Sequence, residues 1–60
     1  MFLKYIGDDQ YISLMMGNDT HECAITNIGK MIILCVKYGD THLGLKHNSL
    51  NDILKNWQEV

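Results

Sequence analysis

Arginine and proline are both missing from this 60-residue sequence, cysteine occurs twice, and no apolar run exceeds six residues. Each shortage excludes something. All five positive charges are lysines, Lys4, Lys30, Lys37, Lys46 and Lys55, set against seven acids. Arginine's planar fork is the favoured tool for bidentate contact with phosphate and guanine. Without it, and at a formal net charge of −2, nucleic-acid binding loses most of its electrostatic support. The acidic excess is also too small to read as DNA mimicry. Two cysteines with no recognisable secretory leader do not make a disulfide framework, so free thiols in the cytoplasm are expected. The longest apolar run, Met31 to Val36, is far short of the ~20 residues of a membrane helix. No membrane partner is expected.

What is present is a small, apolar-rich chain. At 47% apolar residues it is not a disordered segment. A chain of this length buries only about 60% of the surface its unfolded form exposes, and its core rarely supplies more than about 3–5 kcal/mol. The sequence predicts one domain over residues 1–60 that leans on a partner chain for part of its burial.

With proline absent, glycine supplies the punctuation. Met1 to Ile6 reads as a strand ending at Gly7-Asp8-Asp9. Tyr11 to Met16 is a second apolar segment whose composition leaves strand and irregular loop both open. Thr20–Ile28, Met31–Tyr38 and Thr41–Leu45 are strand-like runs separated by Gly29-Lys30 and Gly39-Asp40. Glycine at the first central position suits a type II′ hairpin turn. Two such turns fix the pairing: Ile28 opposite Met31, Ile25 opposite Leu34, Cys23 opposite Val36, then Tyr38 opposite Thr41, Val36 opposite Leu43 and Leu34 opposite Leu45. One face then carries Cys23, Ile25, Ile32, Leu34, Val36, Tyr38, Leu43 and Leu45, a core face that a one-residue slip would destroy. Ser49 reads as an N-cap, with Asp52 three residues on. Leu50, Ile53, Leu54 and Trp57 follow as one helical stripe expected to dock on the sheet. The fold class is therefore mainly β (β+α): an antiparallel meander of three to five strands, a small barrel or a curved sheet, with one C-terminal helix.

The same arithmetic places Glu22, Ala24, Thr26, Ile28, Met31, Ile33, Cys35, Lys37, His42, Gly44 and Lys46 on the opposite face. Its centre, Ala24, Met31, Ile33 and Cys35, is semi-apolar, and Glu22, Lys37 and His42 lie toward the margin. An apolar middle inside a charged rim is the layout of an interface. These seven residues are the candidate binding site.

Other constellations are weaker. His21, Cys23, Cys35 and His42 are zinc-ligand types, but no Cys-x-x-Cys or His-x-x-x-His spacing joins them, and Cys23 and Cys35 fall on opposite faces. No metal, cofactor or disulfide is expected. Cys35 with His42 or His47 lacks an orienting acid for nucleophilic catalysis, so no catalytic residue is assigned. Asp8, Asp9, Asp19 and Asp40 are turn residues by type and position. Phe2, Tyr5, Tyr11, Tyr38 and Trp57 lack interleaved basic residues for base stacking; Tyr38 and Trp57 fall on expected core faces.

The run Lys4-Tyr5-Ile6-Gly7-Asp8-Asp9, with Ser13-Leu14, Gly17 and Thr20-His21-Glu22-Cys23, resembles the small SH3-like β-barrel proteins of unknown function encoded by phages and mobile elements of low-GC Gram-positive bacteria. The likeness covers the first half. The second half departs, with Tyr38-Gly39-Asp40-Thr41-His42 where those proteins carry a Gly-Glu-Asp-Tyr hairpin. The element order is also similar to the single-stranded-DNA-binding transcriptional coactivators, which dimerise. The resemblance implies no catalytic residue. Together with the exposed face it suggests a non-enzymatic protein-binding module, a homodimer or larger assembly. Such a module would be an accessory or inhibitory protein of a mobile element, an anti-defence inhibitor being one version, in the host cytoplasm. A small dimeric single-stranded nucleic-acid binder is the alternative.

Overall fold

Two glycines in the left-handed region set the centre of the sheet. A computed structural model describes residues 1–60. In it Gly29 and Gly39 have φ of +60° and +61°, and no residue other than glycine has positive φ. Lys30 and Asp40 are therefore on the ordinary side of the map, which makes both links type II′ turns and excludes type I′. They join β2 (Thr20–Ile28), β3 (Met31–Tyr38) and β4 (Thr41–His47). The six pairings expected from the sequence are all present.

The remaining elements are β1 (Phe2–Tyr5), α1 (Gln10–Met16), α2 (Leu50–Asn56) and β5 (Trp57–Glu59). All five strands form one open antiparallel sheet, in the order β4-β3-β2-β1-β5. Strand β2 passes between two partners. Thr20, His21 and Glu22 pair with β1, and Cys23 to Ile28 pair with β3. The Cys23 N–H reaches Met1 O at 2.7 Å, tying the two halves at the changeover.

Three expectations need correction. Tyr11–Met16 is neither strand nor loop: it belongs to α1. The Asp9 carboxylate accepts from the Tyr11 and Ile12 N–H groups at 2.9 and 3.1 Å, and Gly17, at φ +60°, ends the helix. Capping at both ends offsets the weak helix preference of the apolar run. The second correction concerns the C-terminal stripe. Only Ile53 of α2 is buried, while Leu50 and Leu54 are exposed. Trp57 is buried as the first residue of β5, opposite Tyr5. A seven-residue helix has too few turns to bury a full ridge, and the chain gains more by pairing β5 with β1. Third, Tyr38 is exposed and stacks its ring on His21 at 6.2 Å, beyond the margin of the core.

The core joins Leu3, Tyr5, Cys23, Leu34, Val36 and Trp57 from one sheet face to Met16 of α1 and Ile53 of α2. Ile12, Ile25, Ile32, Leu43 and Leu45 pack around it. Both helices thus cover the same face.

Candidate interaction face

That one-sided packing leaves the other face of the sheet open. Partners opposite one another in a ladder share a face, so the register gives its layout directly. Ala24 lies opposite Cys35, which lies opposite Gly44; Thr26, Ile33 and Lys46 form the next row, and Ile28 with Met31 the last. On the other side of Ala24, Lys37 is opposite His42 and Glu22 is opposite Phe2. The Val60 N–H donates to Phe2 O at 3.0 Å, which brings the chain end beside Phe2. Lys4, opposite Thr20 and Gln58, completes the outer row.

The seven candidate residues, Glu22, Ala24, Met31, Ile33, Cys35, Lys37 and His42, all lie on this face. None is buried; Ile33 and Cys35 are half-buried and the others exposed. Phe2 and Ile28, 54% and 57% exposed, extend the apolar surface to both ends of the face. Phe2 and Lys4 are additions to the expected site. Their alternation with the inward Leu3 and Tyr5 was the signal, but no short turn ties β1 to β2, so turn arithmetic could not place them. Three of the five lysines, Lys4, Lys37 and Lys46, lie on this face beside a single acid, Glu22.

Small residues shape its centre. Ala24, Cys35 and Gly44 form a low row, and a dimple of about 270 Å³ opens beside it, lined by Glu22, Cys23, Ala24, Cys35, Lys37 and His42. The Cys35 sulfur meets Thr26 Oγ1 at 3.9 Å. A Cβ at Gly44 would lie 3.3 Å from Ile33 Cγ2.

The zinc-type residues are not gathered. The Nε2 and Nδ1 atoms of His21 face the carbonyl oxygens of Met16 (3.1 Å) and Lys37 (3.4 Å), pinning the end of α1 against the sheet. Cys23 is in the core and Cys35 and His42 are on the open face. Burial pushes the Cys23 thiol above its ordinary pKa, with the N-terminal ammonium and a Leu3 backbone bond pulling more weakly the other way. His47, the alternative to His42 as a base for Cys35, is on the inner face, accepting from the Trp57 indole.

Two further surface features lie away from this face. A polar groove of about 540 Å³ lies between Ile6-Gly7-Asp8 and the Asp52, Lys55 and Asn56 side of α2. Asp52 there is occupied in helix capping, accepting from Asn48 N–H and Asn56 Nδ2. The outer sides of the helices also expose large apolar residues, Tyr11 and Leu14 being 83% and 85% exposed. No family model, curated protein or solved structure matches the chain.

Proposed function

We propose that this chain is a non-enzymatic protein-binding module that works by laying its open sheet face against another protein. One observation carries the reading: both helices pack on the same face. Phe2, Ala24, Ile28, Met31, Ile33 and Cys35 are left on the face that neither helix covers. Contiguous apolar surface rimmed by charge is what interaction sites present. The lysine excess on this face favours an acidic partner surface. The likeness to mobile-element proteins extends the proposal to an accessory or inhibitory role, an anti-defence inhibitor among them, exerted by occupying a protein surface.

A specific observation supports a second reading. Phe2 lies on the face that also carries Lys4, Lys37 and Lys46, a sparse version of the aromatic-and-basic platform that binds single-stranded nucleic acid. Titration of labelled oligonucleotides over a range of salt separates the two. The protein-binding reading expects no saturable binding at moderate salt. Tight binding with a steep log–log salt slope would overturn it in favour of nucleic acid.

A further inference from the structure

The sheet has two free edges, and they are unequal. β5 is three residues long, whereas β4 presents seven, Thr41 to His47. Short edges protect themselves; long ones invite another strand unless charged side chains, a proline, a bulge or a covering element blocks them, and Lys46 is the one charge on β4. β4 has no proline, and its pairing with β3 runs without interruption from Tyr38↔Thr41 to Ile32↔His47, so no bulge is present.

The hairpin fixes which backbone groups point outward. A two-residue turn is closed by a hydrogen-bonded pair, and such pairs alternate along the ladder. Thr41, Leu43, Leu45 and His47 therefore direct their N–H and C=O groups at β3. His42, Gly44 and Lys46 direct theirs away from the sheet. No backbone bond outside the regular elements involves β4, and the one side-chain bond to its backbone is His47's own ring on Leu45 O. The outward groups of His42, Gly44 and Lys46 have no partner within the chain.

We propose that the chain forms a homodimer in which the β4 edges of two copies pair antiparallel about Gly44, giving one ten-stranded sheet. The sequence of β4 is complementary to itself in this register. Gly44 is the midpoint of the strand, so all seven residues pair: Thr41 with His47, His42 with Lys46, and Leu43 with Leu45 of the second copy. Outward groups meet outward groups. Leu43 and Leu45, half-buried at the margin of the core, gain leucine neighbours on the same face. Lys46, the one charged residue of the edge, meets His42 and never another Lys46. Pairing through the open faces instead would stack three lysines per copy against three with one glutamate each. The edge dimer leaves both open faces accessible and in line, and it does not depend on what those faces bind.

Sedimentation equilibrium on the full chain and two variants tests this. His42→Pro removes an outward N–H without touching a β3 bond. Sarcosine at position 44, introduced by chemical synthesis, does the same with no added Cβ, and it decides the matter if the proline variant misfolds. The expected result is a wild-type dimer whose dissociation constant rises about tenfold to a hundredfold in either variant, since symmetry deletes two bonds at once. Ile28→Asp, exposed on the open face at the end of β2 and unpaired with β4, should leave the dimer intact. In a background lacking the native thiols, His42→Cys chains mixed with Lys46→Cys chains should cross-link as mixed pairs. A monomer at every concentration, a dimer unmoved by sarcosine, or a dimer dissolved by Ile28→Asp would overturn the proposal.

Discussion

Inside the core the indole Nε1–H of Trp57 donates to Nε2 of His47 at 3.3 Å, joining the first residue of β5 to the last of β4 across α2. Indole nitrogen can only donate, so His47 Nε2 is the acceptor and its Nδ1–H is the group that reaches Leu45 O at 2.9 Å. The two bonds orient the imidazole, and both its nitrogens are satisfied. This pair fastens the C-terminal segment to the far side of the sheet, with Tyr5 edge-on to Trp57 at 4.9 Å.

Replacing Trp57 with phenylalanine keeps an aromatic ring and strands the His47 nitrogen in the core. Leaving a buried acceptor unpaired costs about 1–3 kcal/mol, and a 60-residue domain has only about 3–9 kcal/mol in all. Urea denaturation should show a marked drop in midpoint. His47→Leu in the same chain should recover part of the loss, because the orphaned nitrogen is then gone. A full additive loss in the double variant would show that the two residues act separately.

Gly7 is packed where no side chain fits. A Cβ there would overlap the Tyr5 ring and hydroxyl and lie 2.6 Å from Asn56 Oδ1. The Tyr5 hydroxyl also accepts from the Asp9 N–H at 3.1 Å, next to the cap of α1. Gly7→Ala should therefore destabilise by about 1–3 kcal/mol through steric overlap. Gly44→Ala, at ordinary φ and with only Ile33 Cγ2 at 3.3 Å from the added Cβ, is the comparison. Thermal melts of the two variants should rank Gly7→Ala as the worse.

The two thiols should differ in reactivity. Cys23 is 5% exposed and burial raises its pKa, whereas Cys35 lies half-buried on the open face. A thiol-specific reagent should modify one cysteine per chain quickly, mapping to Cys35, and the second only on unfolding. The sign for stability follows. As pH rises past the ordinary thiol pKa of about 8.5, the unfolded chain releases the Cys23 proton first. Stability should fall with pH in that range, and Cys23→Ala should remove this slope. Equal modification rates for the two cysteines would contradict the assignment.

The meander was legible because glycine chemistry and the alternation of faces agree. Gly29 and Gly39 fix the register, and Leu34, Val36, Leu43 and Leu45 then select the inner face. The helix α1 was harder to see. Asp9 as cap, Gly17 as stop, and Ile12 with Met16 as an inward i, i+4 pair were all present, but Tyr11, Leu14 and Met15 blur the period because they are apolar and face water. β5 was hidden for a different reason. Trp57 continues the helical spacing of Leu50, Ile53 and Leu54, and only its pairing with Tyr5, a contact between the chain's two ends, takes it out of the helix. The open face was legible in its β2–β4 half, where turns carry the register, and not in the β1 half that holds Phe2 and Lys4.

Partner capture by the wild-type chain should survive Leu14→Ser on α1 and fail for Lys37→Glu, with far-UV circular dichroism unchanged in both. The Lys37 side chain is exposed on the open face, so charge reversal there alters that face and leaves the core packing in place. Capture lost with Leu14→Ser and kept with Lys37→Glu would move the binding surface to the helices.

The most direct test is methyl NMR of the chain titrated with the captured protein. Ala24, Ile28, Met31 and Ile33 report the open face, and Leu14, Leu50 and Leu54 report the outer sides of the helices. The proposed function predicts shift changes or broadening confined to the first group. Perturbation of the helix methyls with Ala24 and Ile33 unmoved would contradict it.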